Sequence, residues 1–166
     1  MTGYSETPLA EKLGLVANVR LLVVNEPPEF QAALGPLPAG VARTSSFGGT
    51  TQFDVAVLFV RTNRSLERGF ARVAARMTPA GGLWIAWPKH TSGIETDVTE
   101  NTLRKVVLPT GFVDNKVCAI DERWSGLRFV LRKDLRPGAT VKKPSGTARA
   151  QAGSKTRTPK PPRRKL

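Results

Sequence analysis

The sequence feature that most constrains the fold is a stretch in which two apolar runs flank an amphipathic helix. The first run, Phe53–Val60, is almost entirely apolar and rich in Val and Phe, which is typical of a strand covered on both faces. A Gly-rich turn at 78–82 precedes the second run, 83–87. Strand, helix, strand in this order predicts a right-handed crossover and parallel pairing. Helical spacing over the intervening segment predicts one apolar face made of Leu66, Phe70, Val73, Ala74 and Met77.

The remaining elements extend this pattern to both sides. Two final strands lie only six residues apart, so we expect them to pair antiparallel. Thr7 is the predicted N-cap of the first helix. The sequence therefore predicts an α/β, three-layer Rossmann-like fold with a mostly parallel sheet ending in an antiparallel hairpin. The expected helices are 8–13, 29–34 and 97–108, and the expected strands are 19–24, 41–45, 113–120 and 127–131.

The C-terminal segment differs in composition from the rest of the chain. Residues 134–166 carry ten Lys or Arg and one acid, a net charge of +9, whereas residues 1–133 carry sixteen and twelve, a net charge of +4. Few large apolar residues are present after position 133, so this segment cannot offset its ordering entropy. We therefore expect a single α/β domain over 1–133 and a disordered basic tail over 134–166.

Several classes of protein and site are disfavoured by what the sequence contains. Cys118 and His90 are each the only residue of their type, so a cysteine- or histidine-based metal site is not expected. No apolar run approaches the ~20 residues of a membrane helix, and no signal peptide is visible. A P-loop and a nucleophile elbow are likewise missing. We expect a cytoplasmic protein with no membrane partner.

The order of elements resembles the second half of class I S-adenosylmethionine-dependent methyltransferases. The succession DVAVLFV, helix, TPAGGLWIAW, helix, GFVDNKVCAID, WSGLRFVLR carries this resemblance over roughly 18–132. It implies that a glycine-rich turn should follow the first strand and that an acid should end the second. The corresponding turn here is Asn25–Glu29, which has two prolines and no glycine. We therefore predict a methyltransferase-like scaffold without an intact S-adenosylmethionine site.

A second resemblance covers residues 3–132. The segments GYSETPLAEKLGL, GGLWIAWPK, SGIETDVTEN and VDNKVCAIDERWSGLRFV are similar to the bacterial domain of unknown function 3052 family. This resemblance implies a bacterial protein and no particular activity. Members often carry Lys at the position of His90, which disfavours a role for that imidazole.

Candidate ligand-binding residues follow the third buried strand. Ligands of open parallel sheets lie beyond the carboxyl ends of the strands, where the loops 25–29, 61–64 and 88–100 should meet. Lys89 could bind a phosphate or carboxylate there, with Thr96, Asp97 and Glu100 beside it. Alternatively, Thr96 or Asp97 caps the following helix, Thr99 or Glu100 closes a capping box, and Glu100 pairs with Arg104.

Two further groups of residues each allow two interpretations. Trp124 either covers the edge of the core or forms a ligand wall beside Asp121. The arginines at 64, 68, 72 and 76 form either a solvated helix face or, together with the tail, a nucleic-acid surface. The tail residues proposed for nucleic acid are Lys155, Arg157, Lys160, Arg163, Arg164 and Lys165.

Three hypotheses on function follow from these observations. The first is a small ligand-binding or regulatory module, whose expected partner is a small anionic ligand held near Lys89 and Asp97. The second is a divergent, methyltransferase-like transferase. The third is a nucleic-acid-associated protein that binds non-specifically through its tail. The sequence identifies no catalytic residue, no cofactor and no substrate.

Overall fold

A computed structural model describes residues 7–137 of the chain. The predicted tail, 134–166, lies almost wholly outside the described residues, and so do all six of its proposed nucleic-acid residues. Residues 7–132 contain six strands and four α-helices. The strands are β1 (Arg20–Val24), β2 (Ala42–Thr44), β3 (Phe53–Phe59), β4 (Met77–Pro88), β5 (Phe112–Ala119) and β6 (Trp124–Leu131). The helices are α1 (Leu9–Lys12), α2 (Phe30–Leu34), α3 (Asn63–Ala74) and α4 (Glu100–Val107).

The six strands form one mixed sheet in the order β2-β1-β3-β4-β6-β5. Strands β1 to β4 pair in parallel, and β6 is antiparallel to both β4 and β5. The predicted parallel sheet with an antiparallel hairpin is therefore confirmed. The hairpin folds back so that its second strand, rather than its first, lies against β4.

Helices cover both faces of the sheet and give it three layers. One apolar cluster joins the inner faces of α3 and α4 to the sheet through residues such as Leu66, Phe70 and Leu103. The other cluster joins α1 and α2 to the opposite face through Leu13 and Phe30. Because the central strands contact both clusters, they are apolar on both faces, and this explains their uninterrupted apolar runs.

Trp84 fixes α1 on the sheet. Its side chain is fully buried in β4, and its indole Nε1 donates a hydrogen bond to the Leu13 carbonyl at 3.0 Å. The bond satisfies the indole N–H, which would otherwise be buried without a partner. It also satisfies a carbonyl beyond the last turn of α1.

Two of the predicted turns lie within strands. The segment 78–82 is part of β4, where it forms a bulge opposite Asp54, because Phe53 pairs with Met77 and Val55 pairs with Gly82. A Cβ at Gly81 would lie 3.0 Å from the Asp54 carbonyl oxygen, so glycine is present here for close approach rather than for a turn. Met77 accordingly lies in β4, although its side chain enters the core cluster that its helical spacing predicted.

Strand β6 also begins three residues earlier than predicted, at Trp124. Gly126 suggests a turn in the sequence, but it lies inside the strand. A Cβ there would lie 2.9 Å from Ile120 Cδ1 and 3.2 Å from the ring of Trp84. Glycine therefore makes room for these two side chains over the middle of the sheet.

Two predicted helix starts are wrong. Pro8, not Thr7, occupies the N-cap of α1. Helix α4 begins at Glu100 rather than at 97, because Thr99 is its N-cap and forms a reciprocal capping box with Thr102.

Candidate functional site

The carboxyl ends of β1, β3 and β4 lie at the same edge of the sheet, and the three predicted loops meet there. The Asn25 side-chain Nδ2 donates to the Phe59 carbonyl at 3.3 Å, which joins the first loop to the end of β3. The Asp97 N–H donates to the Arg61 carbonyl at 3.3 Å, which joins the third loop to the second. The location expected for a ligand in an open α/β sheet is therefore well defined.

The turn after β1 is tied to both neighbouring strands. Asn25 has a positive φ of 62°, an uncommon conformation for a residue other than glycine. The Glu26 carboxylate forms an ion pair with the guanidinium of Arg43 on β2. The side chains of Asn25 and Glu26 therefore link the end of β1 to β3 on one side and to β2 on the other.

An open groove lies beside this turn. It has a volume of about 550 Å³. One side is lined by Glu29, the N-cap of α2, and by Ala33 within that helix, and the other side by the β5–β6 turn residues Asp121, Glu122 and Arg123. A smaller hollow of about 220 Å³ shares Asp121 and Glu122 with it. The turn between β5 and β6 thus presents polar side chains to two concave surfaces.

Hydrogen bonds of Asp121 hold the β5–β6 turn in shape. Its Oδ1 accepts from the backbone N–H of Arg123 at 2.8 Å and of Trp124 at 2.9 Å. This Asx-type turn projects the side chains of Glu122 and Arg123 outward. Asp121 therefore both shapes the groove and lines it.

Trp124 lies beneath the groove rather than in its wall. Its side chain is only 2% exposed, and its ring packs edge-to-face on Phe59 at 5.1 Å. Phe59 in turn packs on Phe30 at 4.9 Å. Of the two alternatives for Trp124, its position is that of a residue covering the edge of the core. Its Nε1 donates to Glu29 Oε2 at 3.2 Å, so the indole supports a residue that lines the groove.

Lys89 lies at the predicted edge, next to the same turn. Its backbone N–H donates to the Arg123 carbonyl at 2.7 Å. The exposed His90 follows in a short 3-10 turn, which ends at Gly93 with a φ of 83°. Gly93 therefore makes the sharp bend that the sequence predicted. A ligand role for Lys89 stays a prediction.

Thr96 and Asp97 contact the start of α3 instead of α4. The Thr96 hydroxyl donates to the Arg61 carbonyl at 2.7 Å. Asp97 Oδ1 accepts from the backbone N–H of Asn63 at 2.8 Å, and its carbonyl accepts from Asn63 Nδ2 at 3.0 Å. These contacts hold the 94–98 loop on the β3–α3 junction and place a carboxylate at the N-terminus of α3.

Glu100 belongs to a surface ion-pair chain. Arg104 lies 3.7 Å from the Glu100 carboxylate and 3.2 Å from that of Asp114. The hydrogen bond to Asp114 is the main cause that raises the pKa of the Arg104 guanidinium, and the charge of Glu100 contributes least. The predicted Glu100–Arg104 pair is therefore present, and its stronger partner is on β5.

Sequence reasoning missed four of the five groove residues. Glu29 was expected where a loop meets a helix, Ala33 as part of that helix, and Glu122 and Arg123 only as neighbours of Asp121. Their proximity depends on the order of the strands, since β6 rather than β5 lies beside β4. Within residues 7–137 no group of three or more His, Cys, Asp or Glu side chains could hold a metal ion. No helix in that range is long and apolar enough to cross a bilayer.

No protein-family model and no curated protein matches the sequence. The resemblance to the domain of unknown function 3052 family therefore stays a prediction. Solved structures, in contrast, include many similar folds.

The similar structures include S-adenosylmethionine-dependent methyltransferases. A methyltransferase of this type from Aquifex aeolicus is 12% identical with a TM-score of 0.50, over 73% of this chain and 86% of that one. NodS from Bradyrhizobium japonicum, in complex with S-adenosyl-L-homocysteine, is 12% identical with a TM-score of 0.49, over 75% and 82%. TrmN from Thermus thermophilus is 8% identical with a TM-score of 0.49 over 74%, and this chain spans only 47% of it. Identities this low show the fold alone, which is Rossmann-like and methyltransferase-like.

Proposed function

We propose that this chain is a small-ligand-binding module on a methyltransferase-like scaffold, with its ligand in the groove between Glu29 and the β5–β6 turn. The observation that carries the proposal is the position of this groove at the carboxyl edge of the parallel strands, where open α/β sheets bind their ligands. Its volume of about 550 Å³ is within the range of small-molecule sites.

The proposal includes the absence of the usual S-adenosylmethionine site. Pro27 and Pro28 follow β1 and offer no N–H donors to a cofactor. The side chains of Asn25 and Glu26 bridge to β3 and β2, where a glycine-rich turn would leave space. Thr44 ends β2 in place of an acid that would hold a ribose. These residues do not fit the cofactor in its usual pose.

The charges of the lining support a hydrophilic ligand with a cationic group. Three carboxylates and one guanidinium face the groove, which gives it a negative balance. A ligand ammonium or guanidinium group would be attracted to Glu29, Asp121 or Glu122, since charges in a concave surface are screened less than on a flat one. This differs from the anion expected beside Lys89, so the two positions can be separated by experiment.

The test measures the melting temperature of the full chain with three probes: agmatine as the cation, inorganic phosphate as the anion, and S-adenosyl-L-homocysteine. Agmatine in excess over its Kd should raise the melting temperature of the wild type by a few degrees. The variants Glu29→Gln and Asp121→Asn keep the hydrogen-bond acceptors for Trp124 and for the turn, so they should fold normally and lose the shift. The control Glu95→Gln removes an exposed carboxylate outside the groove and should keep it.

Two results would contradict the proposal. If phosphate stabilises the protein and Lys89→Ala abolishes that effect, the ligand is the anion that the sequence predicted, and the groove is not its site. If S-adenosyl-L-homocysteine stabilises the protein, the divergent transferase becomes the better hypothesis.

A further inference from the structure

Helix α3 carries arginines on its solvent-exposed side whose side chains have no polar partner among residues 7–137. Arg64 and Arg68 are exposed, and neither side chain makes an ion pair or hydrogen bond with any residue between 7 and 137. The same is true of the side chain of Arg61, which precedes the helix. Other arginines make ion pairs that join separate elements of the fold. Arg43 on β2 pairs with Glu26 after β1, and Arg104 on α4 pairs with Asp114 on β5. The part of the chain that the structure describes therefore assigns no ion pair or hydrogen bond to these three guanidinium groups.

Arg72 and Arg76, which continue the predicted arginine face of the helix, contact other parts of the fold. The Arg72 guanidinium stacks 4.2 Å above the ring of Phe47. Arg76 donates to the carbonyls of Thr51 at 2.8 Å and Phe47 at 2.6 Å. Both thereby hold the segment between β2 and β3, which crosses the sheet without a helix. Of the four arginines in the predicted helix face, only Arg64 and Arg68 therefore lack such contacts within residues 7–137. With Arg61 they form a strip of three arginines.

Arg64 occupies a position that the stability of the helix disfavours. It lies in the first turn of α3, which contains no acid, although the positive end of the helix dipole favours negative side chains there. The carboxylate at this end comes from Asp97 on another loop. A residue that destabilises its own helix and has no compensating ion pair within residues 7–137 is typical of a functional surface.

We infer that the strip Arg61, Arg64 and Arg68 binds the phosphate backbone of a nucleic acid. Guanidinium groups bind phosphates through paired N–H donors, and Arg64 and Arg68 lie about 6 Å apart along the helix axis. The full chain has a formal net charge of +13, so an approaching polyanion is attracted overall. The strip presents no exposed aromatic ring for base stacking, so recognition is of the backbone and is independent of base sequence.

The surroundings of the strip favour nucleic acid over an anionic membrane. The other exposed residues of α3 are Glu67, Ala71 and Arg72, and none of them is a large apolar side chain that could enter a bilayer. Glu67 is the one acid of the helix and lies beside the strip rather than between its arginines. Helix α3 packs on the sheet face opposite α2, so this surface is distinct from the ligand groove.

The test compares two double variants of the full chain in binding a fluorescein-labelled DNA duplex over a range of salt concentrations. Arg64→Gln/Arg68→Gln should weaken binding on the order of tenfold, and should reduce the slope of log K against log salt by about 1.8, or about 0.9 for each lost phosphate contact. The control Lys105→Gln/Lys116→Gln removes two exposed cations from α4 and β5 and should change the slope by less than half as much. Vesicles of phosphatidylserine should not bind more tightly than the duplex.

A second readout separates function from folding. Because Arg64 opposes the helix dipole, Arg64→Gln should leave the melting temperature unchanged or raise it by about 1 °C while binding falls. Equal slopes for the two double variants would overturn the inference, because binding would then depend on net charge or on the C-terminal segment alone. Duplex binding unaffected by either variant, or preferential binding to the vesicles, would overturn it as well.

Discussion

The indole Nε1 of Trp124 donates a hydrogen bond to Oε2 of Glu29 at 3.2 Å, across 95 residues of sequence. This bond joins the N-cap residue of α2 to the first residue of β6. Since Trp124 is buried against Phe59, the orientation of a residue in the groove depends on packing in the core. The Arg123 guanidinium lies 4.0 Å from the same carboxylate and adds a weak, exposed ion pair.

The first prediction concerns this contact. Glu29→Ala leaves the buried indole N–H without a partner, which should lower the free energy of unfolding by about 1–2 kcal/mol. Glu29→Gln retains an oxygen acceptor and should cost less than about 0.5 kcal/mol. Urea denaturation of both variants measures the difference. Equal losses for Ala and Gln would mean that the carboxylate charge, not the hydrogen bond, stabilises this position.

The second prediction concerns Asp97 as a cap of α3. Thr62 is the N-cap of α3 and accepts from the Ser65 N–H, so removing the side chain in Asp97→Ala leaves only the Asn63 N–H without its acceptor. This loss should cost about 1 kcal/mol, whereas Asp97→Asn should cost only a few tenths. Glu95→Ala, two residues earlier and exposed, is the control and should have no measurable effect. Denaturation measures stability, and the agmatine shift of each variant should equal that of the wild type. A stable Asp97→Ala that no longer responds to any probe would instead support the ligand role predicted from the sequence.

The third prediction follows from the half-buried thiol of Cys118. Burial raises its pKa above the ordinary value of 9.0, although nearby Lys12 and Lys116 oppose this. The folded protein therefore keeps the proton in a pH interval where the unfolded chain has lost it. Stability should fall as pH rises from near the ordinary value through the folded pKa. The free energy of unfolding of wild type minus that of Cys118→Ala should therefore decrease as pH rises past the ordinary thiol pKa of 9.0. Parallel pH profiles would contradict it.

The layout of the domain could be predicted from the sequence because two-sided burial leaves a strong signal. Residues 53–60 and 83–87 have to be apolar on both faces, and α3 has to be apolar on one, whatever their partners are. Two glycines were interpreted as turn residues, but in the structure they allow neighbouring atoms to approach the backbone of a strand. Gly81 and Gly126 lie inside strands. Glycine is present at these two positions because a Cβ would collide with backbone or core atoms there.

The site was predicted less well, since it depends on contacts between distant segments. The edge of the sheet and the loops that meet there follow from the order of elements alone. In contrast, the pairing of Glu29 with Trp124 requires β6 to lie beside β4, which no local pattern encodes. Asp97 illustrates the same limit. An acid just before a helix suggests a cap of that helix, but its carboxylate reaches the start of another one.

The central claim is that the groove at Glu29 is the ligand site and that the usual S-adenosylmethionine site is missing. Heteronuclear NMR of ¹⁵N-labelled protein tests it most directly, because the indole N–H of Trp124 is bonded to Glu29 and that of Trp84 is bonded to Leu13. On titration with agmatine, the Trp124 indole signal should shift in a saturable way while that of Trp84 stays in place, and S-adenosyl-L-homocysteine at millimolar concentration should move neither. Saturable shifts with S-adenosyl-L-homocysteine, or an agmatine titration that leaves the Trp124 signal unmoved, would contradict the claim.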